Sequence, residues 1–514
     1  MADLNRRGFL KNVVAGTAAA SGLAAAGNVL AAEPINNCKL PAKWDEETDV
    51  VVTGTGFAGL AAAYEAAKGG KKVVVLDKMP VLGGNSSICG GKMTATGCPQ
   101  QLKHHIKDSK ELMMEDTLRA GTNMNDLKKV KFLADNMLPV YNWTVEEIGV
   151  KWAPNDIFQD GGHTVPRSVW SANGSGSGIV EQELKALEKL GVKPRLRTYV
   201  EHLIRDPQTG EMLGVQVRTG YRFPREGSGH VRTIRAKKAV VAAWGGFSAD
   251  VKYRQIHDPR LGPKLQNTNQ PGATGELWRE AAAAGVAMIM LDAIQCVPFS
   301  NPNEKGFGVA WQFSQNAAGQ FGLWVNSDGK RFVNELANRK VSADQMFAEQ
   351  QKGRRLFAIG TVKSCAGLLS FQPKCLENAV KIGAIGQYKT VEEMCKANNL
   401  PLAAVQASID QVNESVKTHS DKAFGRYIDK EFQPLVEGPW LCAEMSPKVH
   451  HCMGGIKTDV NGQAIDVRTD DVIKGFYAAG ECAGGSHGTT RLGCNGVLDA
   501  LCYGREVGMV VAKL

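Results

Sequence analysis

The chain has 514 residues, 43% of them hydrophobic and 22% charged, enough for two or three domains with sizeable cores and unlike a disordered or low-complexity protein. Its net charge of +9 is spread among acids, and even the run Lys128-Lys129-Val130-Lys131 reads as solvated surface. That argues against a nucleic-acid partner and leaves a mild attraction for anionic substrates. The 12 cysteines include no C-x-x-C pair and no C-x-x-C-H, so no zinc ribbon and no attached c-type haem are expected. Most read as small buried hydrophobes, with a scattered iron–sulfur ligand set as an open alternative and no other metal expected.

Asn5-Arg6-Arg7-Gly8-Phe9-Leu10-Lys11 is a twin-arginine pattern, followed by a weakly apolar Ala/Gly-rich stretch from Val13 to Ala26. Ala31 and Ala32 offer a cleavage site before Glu33. Residues 1–32 are therefore expected to be a signal peptide that exports a folded protein to the periplasm or the outer face of the membrane. An uncleaved anchor is the alternative, but the stretch is poor in large apolar side chains, and no other segment is long and apolar enough to span. Residues 33–47 read as a linker.

The first domain is expected over residues 48–291. An apolar run, Val50-Val51-Val52, leads into T-G-T-G-F-A-G at Thr53 to Gly59, and a helical pattern follows from Leu60 to Ala67. This is strand, tight turn, helix. Gly54 allows the turn, Gly56 lets the backbone approach a pyrophosphate, and Gly59 lets helix pack on strand. The helix N-terminus then faces the phosphate charge. A second strand, Val73 to Leu76, ends at Asp77, 18 residues past Gly59, where a ribose hydroxyl needs an acceptor. Leu82 to Ser87 continues the approach to the dinucleotide, and Gly90-Gly91 permits close packing on the backbone. Helices are expected within 101–148, a flexible loop at Ser171 to Gly178, and a helix from Ile179 to Leu190. A strand from Thr198 to Ile204, a hairpin near Gly210 and a buried strand from Lys238 to Gly246 follow.

Residues 292–447 change texture, with a strand at Leu323 to Asn326 and helices from Leu336 to Gln350 and Val391 to Thr418. They read as an inserted α+β domain. Strand-and-glycine texture resumes near His450, and residues 448–514 complete the first domain. Within them, Gly475 to Glu481 reads G-F-Y-A-A-G-E, a second glycine signature about 420 residues beyond the first. A simple nicotinamide dehydrogenase needs no such signature at its far end. A flavin lying across the domain needs the C-terminal segment to close over its ribityl chain, and Glu481 is placed to accept from ribityl hydroxyls. The pair favours FAD over NAD, in an α/β, doubly wound, Rossmann-like domain.

Five further segments carry a family resemblance: L-G-G-N-S-S at Leu82, P-G-A-T-G-E at Pro271, D-G-K-R-F-V-N-E at Asp328, V-H-H-C-M-G-G at Val449 and H-G-T-T-R-L-G-C-N-G at His487. With both glycine signatures, they resemble the soluble fumarate reductases, flavocytochrome c-like members of the fumarate reductase/succinate dehydrogenase flavoproteins. The resemblance covers residues 48–514 and includes no fused haem domain. It implies an FAD domain with an inserted clamp that closes over substrate. It also implies FAD contacts from Ala58, Asp77, Asn85, Ser86, Glu276, Glu481, Gly496 and Val497, alongside Gly54, Gly56, Gly59, Lys78 and Gly84. Asn85 stands where membrane-bound relatives carry a histidine covalently bonded to flavin, so FAD is expected to be non-covalent.

In the family, flavin N5 delivers hydride to one carbon of an activated C=C bond and a clamp arginine protonates the other. Arg339, four residues beyond Glu335, matches that arginine. Arginine is a poor acid in water, so this role requires a dry, positive pocket and a strongly basic carbanion. His451 and Arg491 match the family's grip on a carboxylate or carbonyl, which a bidentate guanidinium suits. Gly91 and Cys494 are expected to line the same pocket. Val297, Ser314, Gln315 and Ala318 stand where the family has a histidine, a Thr-Glu pair and an arginine. On that alignment the second carboxylate clamp and the proton relay to the catalytic arginine have lost their ionisable groups.

The expected protein is an exported FAD-dependent reductase of an electron-poor C=C bond in an unsaturated monocarboxylate, enone or unsaturated lactone. Electrons would come from a separate donor protein, a cytochrome c or a quinol-linked carrier. The alternatives are a fumarate reductase proper, a ketosteroid-type flavin dehydrogenase, a group that uses active-site tyrosines, and a non-catalytic flavin-binding paralogue.

Overall fold

A computed structural model describes residues 40–371 and 374–514; the expected signal peptide and residues 33–39 of the expected linker lie outside the described residues. Val50, Val51 and Val52 are fully buried in the strand Glu46–Thr53, which has the continuous β-branched run of a strand covered on both faces. It pairs in parallel with Val73–Leu76 on one side and His230–Ala242 on the other. Val472–Ala478 continues the sheet in parallel, and Gln463–Ile465 closes that edge antiparallel. An antiparallel ribbon, Thr198–Arg205 with Met212–Thr219, attaches to the first half of His230–Ala242. That attachment is why the strand expected from Lys238 begins earlier, at His230.

The helix Phe57–Lys68 lies on this sheet, and the C-terminal helix Asn495–Ala512 lies against it. The two approach closely because Gly504 has no side chain: a Cβ there would sit 2.5 Å from the Ala58 carbonyl oxygen. Gly480 of the C-terminal glycine segment comes as near, an added Cβ lying 2.8 Å from Ala58 Cβ in the first turn of Phe57–Lys68, which closes the sequence gap between the two signatures.

The second sheet is antiparallel, ordered Ile294–Ser300, Trp440–Cys452, Leu356–Thr361 and Leu323–Asn326, with Gly386–Tyr388 also paired to Trp440–Cys452. Leu323, Val325, Phe357 and Ile359 bury one face of it against the helices Val391–Asn398 and Leu402–Thr418. The continuous helical stretch expected over Val391 to Thr418 is thus two helices. Asn399 ends the first in the left-handed region at φ 56°, and Pro401 precedes the second. The helix expected from Leu336 starts at Arg339, where Asn338 Oδ1 accepts from Val341 N at 3.0 Å as an N-cap. Trp440–Cys452 runs through the expected boundary at 447 as one strand. Its first half pairs with Leu356–Thr361 and its end with Ile294–Ser300, which brings His450 and His451 to the cleft.

Candidate active site

One cleft runs between the sheets and is lined by both glycine signatures, Asp77, Glu276, Glu481, Arg339, His451 and Arg491. At one end Gly54 adopts φ +114°, and a Cβ there would lie 2.3 Å from the Ala243 carbonyl oxygen, so only glycine fits the turn. Gly56 precedes the helix Phe57–Lys68 without a capping side chain, the arrangement of an anion site at a helix N-terminus. Asp77 Oδ2 accepts from Thr55 Oγ1 at 2.5 Å and from Thr55 N at 3.2 Å, which ties the first turn to the second strand. Lys78 Nζ donates to Thr274 Oγ1 at 2.5 Å and pairs with Glu276 at 3.1 Å. Asn85 Nδ2 donates to Asn269, and Gln270 N donates to Asn85 Oδ1 at 2.9 Å. Glu481 accepts from Cys452 N at 2.9 Å, and burial pushes its carboxyl up to about 7. The bare glycine turn, the uncapped helix end and the carboxylates at Asp77 and Glu481 fit a dinucleotide with a flavin at the Glu481 end.

At that end the side chains converge on positive charge. A Cβ on Gly496 would lie 3.2 Å from Arg491 Cδ and 3.3 Å from His451 Cε1, so both flank the same backbone. Arg491 Nη2 and Arg339 Nη1 donate to one acceptor, Gln295 Oε1, at 3.2 and 3.3 Å. Gln295 is held in turn, its Nε2 donating to Thr490 Oγ1 at 2.8 Å and the Arg491 carbonyl at 2.7 Å. Burial, reinforced by Arg339, brings the Arg491 pKa down to about 9, and burial also lowers that of Arg339. Burial and Arg491 hold His451 well below its ordinary value, so it is a neutral hydrogen-bonding imidazole. Beside them, Phe307 stacks between Trp311 and His450, with centroids at 4.7 and 5.5 Å, giving the cleft an apolar wall.

Residues 49–497 match the FAD binding domain family. The acrylate reductase flavoprotein subunit of Shewanella woodyi is 34% identical over 99% of both chains. The urocanate reductase of Eggerthella lenta is 30% identical over 91% of this chain and 75% of its own. The open conformation of a flavocytochrome c3 fumarate reductase superposes with a TM-score of 0.72 at 29% identity, over 92% of this chain and 79% of that one. The chain belongs to the fumarate-reductase-type FAD flavoproteins. Its cofactor is FAD, and its fold is the mixed α/β fold of those reductases.

In this flavoprotein the cleft is lined by Gly54, Gly56, Ala58, Asp77, Lys78, Gly84, Asn85, Ser86, Glu276, Glu481, Gly496 and Val497, and at the reactive end by Gly91, Gln315, Arg339, His451, Arg491 and Cys494. Gly91 is constrained there by φ +68° and by Ser175, whose carbonyl carbon would lie 2.4 Å from a Cβ. Gly59 supports the floor from below, where a Cβ would meet the Gly54 carbonyl oxygen at 2.2 Å. The far wall needs correction. Val297, Ser314 and Ala318 do not line the cleft. Val297 and Ala318 are fully buried in a core with Trp170, Phe299 and Trp324. Ser314 is 1% exposed, and its carbonyl accepts from Trp324 Nε1 at 3.0 Å. The register shift between Gln295 and Cys296 leaves His450 as the extra residue on the partner strand, and Gln295 reaches the arginines while Val297 packs in the core.

Four further contributors escaped the sequence reading. Gln295, Lys92 and Trp311 carry no motif signal. Asp160 sits in D-G-G-H, which looks like an ordinary turn but places a carboxylate in the cleft. One expected outcome concerns the cofactor. Because Asn85 spends its amide on Asn269 and Gln270, acid precipitation of the pure protein should leave the flavin absorbance in the supernatant; flavin in the pellet would contradict a non-covalent site.

Proposed function

We propose that this flavoprotein reduces the C=C bond of an unsaturated monocarboxylate, with related enones and unsaturated lactones as weaker candidates. The observation that carries the proposal is the pair of guanidiniums, Arg339 and Arg491, meeting on one neutral amide oxygen beside a neutral imidazole. Neither guanidinium takes a carboxylate hydrogen bond among the described residues, so both remain available to an anionic substrate. Relatives named for acrylate and urocanate, each with a single carboxylate, support this class.

Bound FAD, once reduced, supplies hydride to the alkene. Arg491 and His451 hold the substrate carboxylate, and the charge that grows on it during attack strengthens the Arg491 contact. Arg339 holds a proton at its guanidinium and passes it to the α-carbon as negative charge develops there. Burial has already lowered its pKa, which favours donation. Phe307 and Trp311 exclude water from this end. A ketosteroid-type reaction finds less support. Among the described residues the one tyrosine lining the cleft, Tyr199, stacks on Tyr221 and is influenced by Glu276, outside the arginine cluster. The twin-arginine pattern at Arg6 and Arg7 supports export with FAD loaded, and a separate cytochrome c or quinol-linked protein would supply electrons.

Fumarate is expected to be a poor substrate. Of the other cations lining the cleft, Lys92 is committed to Asp160 at 3.7 Å and Lys78 to Glu276 at 3.1 Å, so a second carboxylate would disrupt one of those pairs or lie uncompensated. The cost is at least roughly 1–3 kcal/mol, about fivefold or more in kcat/KM. Reoxidation of reduced methyl viologen by acrylate, crotonate, urocanate, enones, lactones and fumarate tests both points. Faster fumarate reduction than every monocarboxylate would overturn the preference, and a protein inert to the whole panel would overturn the enzyme reading.

A further inference from the structure

An arginine that gives its proton to carbon must regain one before the next turnover. Arg339 cannot recover it from its hydrogen-bond partner, because Gln295 Oε1 only accepts. Gln315 and Ala318, which stand at the family's relay positions, are not ionisable. The acidic side chains that act on Arg339 are Cys494 and Asp160. Burial pushes the Cys494 thiol far up, which keeps it protonated and removes it as a carrier. Asp160 stays a carboxylate: burial opposes this, but Lys92 and the Cys494 hydrogen bond outweigh it.

The Asp160 carboxylate is held from three directions. Gln315 Nε2 donates to Oδ1 at 2.8 Å, Cys494 Sγ donates to Oδ2 at 3.1 Å, and Lys92 Nζ lies 3.7 Å from Oδ1. Lys92 is 6% exposed, and its ammonium has no hydrogen-bond partner. It sits over the rings of Phe158 and Trp170, at 4.3 and 4.7 Å. His163, the other titratable group beside Asp160, is pushed to about 4 by burial and Arg167 and is neutral. A buried, under-bonded ammonium is costly to keep, so a purely structural pair is a poor use of it. Both Lys92 and Asp160 line the cleft that holds Arg339.

We propose that Lys92 and Asp160 form the proton relay that recharges Arg339 after each turnover, an inference that rests on the reading of Arg339 as proton donor. An N–H bond of the Lys92 ammonium breaks, and its proton passes by way of the Asp160 carboxylate to the neutral Arg339 guanidine, where a new N–H bond forms. The Lys92 amine then takes a proton from water. One solvent proton enters per turnover, and no electrons move in the relay. The acid and base arrive on the strand Lys92–Thr94 and just after the strand Trp152–Phe158, while Gln315 only orients the carboxylate.

The test uses full-length, FAD-loaded protein and the fastest substrate of the viologen panel. Arg339 begins charged, so pre-reduced Asp160→Asn protein should be reoxidised in its first turnover within about twofold of wild type. Sustained viologen-driven turnover should fall on the order of a hundredfold. Lys92→Gln should show the same split, and Asp160→Glu should restore most of the sustained rate. Sustained turnover near wild type in Asp160→Asn would overturn the relay. So would an equal loss in first and sustained turnovers, the signature of a structural or binding role. Wild-type protein that no alkene reoxidises would instead overturn the parent reading and the relay with it.

Discussion

Replacing Arg339 by Gln is expected to abolish C=C reduction, by about a hundredfold or more, while FAD stays bound. Gln keeps the length and hydrogen-bonding capacity of the side chain but has no proton to give to carbon. The native guanidinium is suited to give one. It sits at the first position of the helix Arg339–Gln351, where the positive end of the helix dipole opposes its charge, and burial lowers its pKa further. It takes no carboxylate hydrogen bond, and burial outweighs what the Phe299 ring at 5.5 Å and the Asp160 charge give to the charged form. A hundredfold loss corresponds to about 2.7 kcal/mol of transition-state stabilisation. In contrast to the relay variants, the first turnover should be lost together with the sustained one. Flavin absorbance checks retention of the cofactor, and near wild-type turnover in flavin-replete Arg339→Gln protein would remove the arginine from the chemistry.

The largest expected effect on stability is at Glu335. Its carboxylate accepts from Arg331 Nε at 2.9 Å, Arg331 Nη2 at 2.8 Å and Trp324 N at 3.2 Å, and Arg426 Nη1 lies 3.3 Å away. Arg331 also donates to Asp421 Oδ2 at 2.7 Å. All four charged side chains are buried, two cations against two anions. Glu335→Ala leaves both guanidiniums facing Asp421 alone. Breaking such a network by removing one partner costs about 3–5 kcal/mol. The denaturant midpoint followed by tryptophan fluorescence should drop accordingly, with Glu335→Gln intermediate because it can still accept from Trp324 N. Turnover should fall as well, since Glu335 anchors the segment that ends in Arg339. A midpoint for the alanine variant shifted by under about 0.5 kcal/mol, the size of an ordinary surface effect, would show that the network does not hold this segment.

R-F-V-N-E therefore has two parts that look alike in the sequence and act differently. Arg331 and Glu335 staple the second sheet, and only the arginine four residues further on reaches the cleft. A motif match located the segment, but it could not divide the roles.

By itself the sequence determined what depends on neighbours along the chain. The strand–turn–helix at Val50 to Ala67 was legible because a β-branched run, a glycine that alone tolerates its φ and a helical period follow within eighteen residues. The second strand, Val73 to Leu76, was legible for the same reason, and Arg339, His451 and Arg491 followed from short motifs. Tertiary structure alone decided the rest. Gln315 meets Asp160 across 155 residues, and Gln295 meets Arg491 across 196, separations at which no local pattern constrains a partner. Val297 lies in the core because Trp170, Phe299 and Trp324, from three separate parts of the chain, close around it, a burial that only the folded chain assembles. The electrostatics were decided there too: neutral imidazoles, lowered guanidinium pKa values and a buried Lys92–Asp160 pair follow from water being excluded around groups that only folding assembles.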